Sequence, residues 1–159
     1  MRRRLAALAA MTFLASGFTA QAAPDDPIGD LIMSLVTAST PGTPSFNLKA
    51  TLYHASAKGV GALDSLGCRV VAMRTAAVDP RLIPRRTVLF IEETVGMPMP
   101  GGERHNGYWY ASDTGGAIKG ERIDLYTGSG PASMRPMRRL SLARLSAIKV
   151  GRFNGCPPQ

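Results

Sequence analysis

Three aspartates and two tyrosines are the residues here whose types and spacing could do chemistry. Asp113 and Asp124 stand eleven positions apart around the turn Thr114-Gly115-Gly116-Ala117-Ile118-Lys119-Gly120, each on or beside a strand-like run. A third carboxylate lies upstream in Ala77-Val78-Asp79-Pro80. Acids at strand ends around a tight turn can converge on one point, and convergent carboxylates are what acid–base chemistry on a polar substrate requires. In Arg122–Tyr126, Ile123 and Leu125 alternate with Arg122, Asp124 and Tyr126. With the apolar pair in the core, Asp124 faces a groove beside Arg122 and Tyr126. Each acid also has a plainer reading: a solvated strand residue for Asp124, and turn formers for Asp113 and Asp79. They are taken together because all three border strands of one small sheet.

Around the acids, Tyr53, Tyr126, Gly115, Gly116 and Lys119 are the candidate substrate contacts. Glycine lets backbone approach a ligand closely, and Gly120 adds a third such position. Lys119 reads either as a charge partner or as a solvated loop residue. Tyr108-Trp109-Tyr110 leads straight into Asp113. Such amphipathic aromatics suit stacking on sugar rings, while Trp109 equally suits a core. His54 and His105 have no matching serine or cysteine motif, and Gly128-Ser129-Gly130 is not a nucleophile elbow. No cofactor and no metal is expected.

These residues need positioning elements. Strands are predicted at Lys49–Tyr53, Cys68–Met73, Thr87–Glu92, Tyr108–Ala111, Arg122–Tyr126 and Ala147–Gly151. Val88 to Ile91 is apolar throughout, as for a strand buried on both faces. Gly96 to Gly107 reads as an irregular surface loop. Short strands separated by turn signals predict a mostly β protein, a small barrel or sandwich. Upstream, Asp26-Pro27 is an N-cap and N1 proline, and Ile28, Leu31, Ile32 and Leu35 recur at helical spacing, predicting one short N-terminal helix. Pro41-Gly42-Thr43-Pro44 ends it as a linker, so residues 23–46 are helix and linker and 47–159 the barrel domain.

The chain of 159 residues has room for one ordinary domain. Met1-Arg2-Arg3-Arg4, the apolar stretch Leu5 to Ala15 and Ala20-Gln21-Ala22 form a secretory signal over residues 1–22, the other reading being an uncleaved anchor. The net charge of +8 falls to +5 without that segment, which carries three arginines and no acid. Basic residues gather late, at Arg135, Arg138, Arg139, Arg144, Lys149 and Arg152. Outside the cytoplasm such a face meets wall polymers or lipid headgroups rather than nucleic acid, with a solvated surface as the default. In an oxidising compartment the two cysteines, Cys68 and Cys156, form one disulfide tying the C-terminal tail to the body.

Ala77-Val-Asp-Pro80 with Ile83-Pro84, then Thr87–Ile91, Ala111–Gly120 and Arg122–Tyr126 together resemble the 3D domain family, named for three aspartates. That family is similar to the barrel domains of membrane-bound lytic transglycosylase A and of resuscitation-promoting-factor-like wall enzymes. The resemblance covers roughly Leu48 to Gly130, and the Asp-Thr-Gly-Gly-Ala-Ile-Lys-Gly block is its most specific part. It implies a six-stranded double-psi β-barrel and cleavage of peptidoglycan glycan strands. It matches Asp79, Asp113 and Asp124 to the family aspartates, with Asp124 as the acid–base. Two departures stand out. Pro84-Arg85-Arg86-Thr87 replaces a Pro-x-Gly-Thr turn, so that turn is expected to differ, and Glu92 to Asn106 looks like an insertion.

The expected function is that of an exported, wall-associated lytic transglycosylase acting on peptidoglycan as a monomer, with no nucleic-acid partner and no stable membrane insertion. A non-catalytic glycan-binding module on the same barrel is the alternative. Asp113-Thr114-Gly115 is also the aspartic-protease signature, but that chemistry needs two aspartates sharing a proton and no second copy occurs.

Overall fold

A computed structural model of the protein describes residues 46–158. The expected signal segment and N-terminal helix lie outside the described residues. Six strands close into a barrel: β1 (Phe46–Tyr53), β2 (Thr75–Val78), β3 (Thr87–Ile91), β4 (Tyr108–Asp113), β5 (Arg122–Tyr126) and β6 (Arg144–Arg152). Around the barrel the order is β1-β5-β2-β4-β3-β6. The β1–β5 and β2–β4 pairs are parallel and the rest antiparallel. A mostly β, closed six-stranded barrel is what the sequence and its family resemblance led one to expect.

Strand alternation builds the interior. Leu48 and Ala50 of β1, Ala76 and Val78 of β2, Leu89 and Ile91 of β3, Trp109 and Ala111 of β4, and Ile123 and Leu125 of β5 are all fully buried. Period-two side-chain geometry then turns Thr51, Ala77 and Asp124 to the other face. A 3₁₀ helix, Pro131–Leu140, sends Met137 and Leu140 into the same core. Burial of the larger of these side chains at about 1.5–3 kcal/mol each is the main stabilising force.

Several local expectations need correction. Cys68–Met73 is not a strand; Arg69 makes only an isolated bridge to Leu63, and the strand is the following Thr75–Val78. The glycine at Gly67 and the Asp64 turn that caps Leu66 and Cys68 N–H groups break the extended run. In β3, Val88 and Phe90 are half-buried, so the strand is fully covered on one face only. The 96–107 segment is irregular but not wholly superficial, because Met97 and His105 are buried. The His105 Nδ1 accepts from the Gly107 N–H at 2.9 Å, which assigns the Nε2 proton toward the Met73 carbonyl at 2.7 Å. Thr94, in a 3₁₀ turn at Glu92–Thr94, accepts from the Trp109 indole at 3.1 Å. The turn before β3 places Arg86 at φ 71°, the left-handed region where glycine is the ordinary occupant. Hydrogen bonds from Arg86 N to Ala111 O and from Phe153 N to Arg86 O hold that conformation. The arginine is thus accommodated in a left-handed turn, at a cost of about 1 kcal/mol.

The disulfide joins Cys68 to Cys156, as expected from their even count, with Cα atoms 5.5 Å apart. It ties the tail after β6 to the loop before β2. Among the described residues, no helix is long and apolar enough to cross a membrane.

Candidate active site

Strand register assembles the site. Thr51 of β1 pairs with Asp124 of β5, Asp124 with Ala77 of β2, and Ala77 with Asp113 of β4. The four residues form one row across four adjacent strands, on the face turned away from the core. At a strand spacing of 4.7–4.9 Å the two aspartate backbones lie about 10 Å apart, with only the Ala77 methyl between them.

A β-bulge places Asp113 in that row. Ala76 pairs with Ala111, whereas Ala77 pairs with Asp113, leaving Ser112 as the extra residue. Without the bulge, alternation from core-facing Trp109 and Ala111 would send Asp113 into the core. Ser112 bears the consequence: it is fully buried and its hydroxyl finds no partner among the described residues.

The two carboxylates have different surroundings. Asp113 accepts from Ser65 N at 3.0 Å, Thr114 N at 2.8 Å and the Tyr53 hydroxyl at 3.0 Å. Asp124 receives a single side-chain hydrogen bond, from the Thr51 hydroxyl at 2.7 Å. Burial pushes the Asp124 carboxyl above the usual carboxylate range. The Thr51 bond opposes that rise, the Asp113 charge adds to it, and Arg122 opposes it. One carboxylate is thus satisfied by donors, and the other is raised by burial with a single donor.

Tyr53 crosses the row. From β1 its hydroxyl reaches Asp113 of β4, three strands away in the barrel order. Its ring packs on Tyr126 with centroids 5.2 Å apart. Burial, then the charge and hydrogen bond of Asp113, push the Tyr53 phenol far up, so it serves as a donor only.

Asp79 is differently employed. Its carboxylate accepts from Arg81 Nη2 at 2.8 Å and Nε at 3.1 Å, and from the backbone N–H groups of Arg81 at 3.1 Å and Gly120 at 2.8 Å. The Arg81 guanidinium, with the backbone donors, holds it well below the usual carboxylate range. The group pins the 114–120 turn to the end of β2. In that turn, Gly115 lacks a Cβ because one would lie 2.8 Å from Ile118. The glycine is there for internal packing. Gly116 and Lys119 are exposed, and no hydrogen bond among the described residues ties Lys119 to either carboxylate.

Tyr53 and Tyr126 therefore sit with Asp113 and Asp124, while Asp79, Gly115, Gly116 and Lys119 belong to the supporting turn. Thr51 and Ser65 were not singled out in the sequence. Thr51 shares a face with Tyr53 two positions on, a signal available from alternation; Ser65 reaches Asp113 from a distant loop and carries none.

Residues 74–136 match the 3D domain family, a span that includes all three aspartates. The family resemblance read from the motifs holds there. Similar solved structures include a variant of the Escherichia coli lytic transglycosylase MltA in an apo form, 22% identical over 57% of this chain and 27% of that one, TM-score 0.42. Another is E. coli MltA with bound chitohexaose, 24% identical over 56% of this chain and 27% of that one, TM-score 0.40. The lytic transglycosylase LtgG of Burkholderia pseudomallei is 28% identical over 57% of this chain and 26% of its own, TM-score 0.39. The chain thus spans about a quarter of the length of these structures. No curated protein matches it.

Proposed function

We propose that this chain, which carries a 3D domain over residues 74–136, is an exported enzyme that cleaves peptidoglycan glycan strands by lytic transglycosylation. Asp124 is the acid–base. Its carboxyl donates a proton to the glycosidic oxygen, the bond to the muramic carbon breaks, and the leaving sugar departs as an alcohol. The resulting carboxylate then takes the proton from that muramic sugar's own primary hydroxyl as its oxygen closes on the carbon. The product is an anhydro sugar, no water is consumed, and Asp124 is reprotonated. Asp113 supports positive charge developing at the sugar carbon and keeps the Asp124 proton in place. Tyr53 and Thr51 hold the two carboxylates, and Asp79 is a positioning residue.

The observation that carries this reading is the row Thr51–Asp124–Ala77–Asp113, which sets a carboxyl pushed upward by burial beside a donor-satisfied one over a small methyl floor. The test is incubation of the purified protein with peptidoglycan. Anhydro-sugar fragments are expected, and Asp124→Asn should release them at least about 10²-fold more slowly. Retention on the wall without fragments would make the protein a glycan-binding module. Full turnover in folded Asp124→Asn would remove the acid–base assignment.

A further inference from the structure

A groove of about 780 Å³ opens beside the carboxylate row, and Tyr126 is a wall of it. Tyr126 lies two residues beyond Asp124 on the same face of β5 and packs on Tyr53, so it stands between the groove and the row. The groove falls in the size range of small-ligand sites.

Its lining is small and apolar. Ala62, Val70 and Ala72 come from the connection before β2, and Pro98, Met99 and Pro100 from the 96–107 loop. Two hydroxyls in the wall already have internal acceptors: Thr127 Oγ1 bonds the Tyr53 carbonyl at 3.0 Å and Ser133 Oγ the Gly130 carbonyl at 2.7 Å. A sugar needs partners for several hydroxyls, and this surface offers few. Arg69 is the one charged side chain in the lining, and no carboxylate faces it there.

The 3₁₀ helix extends this charge pattern. With three residues per turn, side chains at i and i+3 eclipse. One row is Ala132, Arg135, Arg138; the next is Ser133, Pro136, Arg139; the third, Met134, Met137, Leu140, carries the two buried side chains of the helix. Ala132, Ser133 and Pro136 line the groove, so both outer rows run from its wall into exposed arginines. None of Arg135, Arg138 and Arg139 has an ion-pair partner among the described residues.

From this we infer that the groove binds a short acidic peptide. Small apolar side chains would occupy the alanine, methionine and proline walls, and carboxylates would meet Arg69 and the arginine rows. The inference rests on the proposed function: wall glycan carries such peptides on its muramic sugars, next to the bond that Asp124 would cleave. The groove then makes the peptide-bearing sugar the preferred donor side of the reaction.

The experiment titrates a tripeptide of alanine, glutamate and diaminopimelate into the protein by calorimetry, and compares cleavage of peptide-bearing and peptide-stripped glycan strands. Saturable tripeptide binding is expected, weakened about tenfold by Arg69→Ala through loss of a charge-assisted hydrogen bond, and by Ala132→Leu through filling of the groove. Both positions are exposed, so both variants should keep the parent Tm. Asp124→Asn should bind the tripeptide unchanged, and stripping should raise KM while leaving kcat nearly constant. No saturable tripeptide binding, binding indifferent to Arg69→Ala and Ala132→Leu, or displacement from the groove by chitohexaose or by laurate in preference would each overturn the inference. Equal cleavage of stripped and intact strands would overturn it while leaving the transglycosylase reading standing. Tripeptide binding without any anhydro sugar would support the groove assignment and reject that reading.

Discussion

The two site aspartates are the same residue type with opposite assignments, and the difference lies within one hydrogen-bond radius. Asp113 meets three donors, whereas Asp124 meets one and is pushed above the carboxylate range by burial. A carboxyl whose folded value is raised favours the fold while protonated, and that contribution is lost as pH rises through the raised value. Asp124→Asn should therefore lose turnover and, at neutral pH, match or exceed the parent Tm by differential scanning calorimetry. A clear fall in Tm would mean that Asp124 is a structural group. Asp113→Asn removes a negative neighbour and lowers the value of Asp124. The alkaline limb of the kcat/KM profile should then move to lower pH, and an unmoved limb would count against coupling of the pair. For Asp79→Asn the expectation is reversed. Loss of the Arg81 and Gly120 contacts should lower Tm and reduce activity through the turn, with the pH profile of the remaining activity unchanged.

At the scale of elements, the site depends on places where regular structure is broken. The bulge at Ser112 turns Asp113 out of the core. The loop carrying Ser65 reaches Asp113 and is anchored by Asp64, whose carboxylate accepts from the Leu66 and Cys68 N–H groups. The 92–107 connection, an apparent insertion, supplies both a wall of the groove and a buried plug of Met97, His105 and Thr94 under Trp109. Gly107 closes it with φ 86°, and a Cβ there would stand 2.5 Å from the Phe90 ring and 2.9 Å from Val95. Gly107→Ala therefore combines left-handed strain with a steric clash and should destabilise by about 1–3 kcal/mol in urea unfolding. An unchanged midpoint would show that Phe90 and Val95 yield freely.

At the scale of the whole molecule, pH and the disulfide set the working range. Burial pushes His105 down to about 4, and its hydrogen bonds select the neutral ring. A histidine with a depressed folded value contributes stability in full above its ordinary 6.5, and loses it as pH falls from there toward 4. Asp79, held low by Arg81, adds a second loss below the ordinary carboxylate range. The unfolding midpoint should thus drop between pH 6.5 and 4 and flatten in that window in His105→Gln. A His105→Gln profile with the same slope as the parent would exclude His105 as the titrating group. The Cys68–Cys156 bond closes a separation of 88 residues, worth on the order of 2–4 kcal/mol in the chain-entropy picture. It also steadies the loop whose Ser65 holds Asp113.

The sequence by itself determined the strand alternation, and with it much of the fold. Ile123 and Leu125 had to face inward, so Asp124 had to face out, because the period of a strand is two. Motif spacing brought in Asp113 and the family resemblance, and an even count of two widely spaced cysteines pointed to the bridge. Only the tertiary structure decided which acids meet. Asp79, Asp113 and Asp124 look alike in sequence, yet register across β5, β2 and β4 joins two of them and leaves the third to Arg81. Register, bulge position and the approach of Thr51 and Ser65 depend on pairings between residues tens of positions apart. No local pattern encodes these pairings, because they follow from closing the whole barrel around one core.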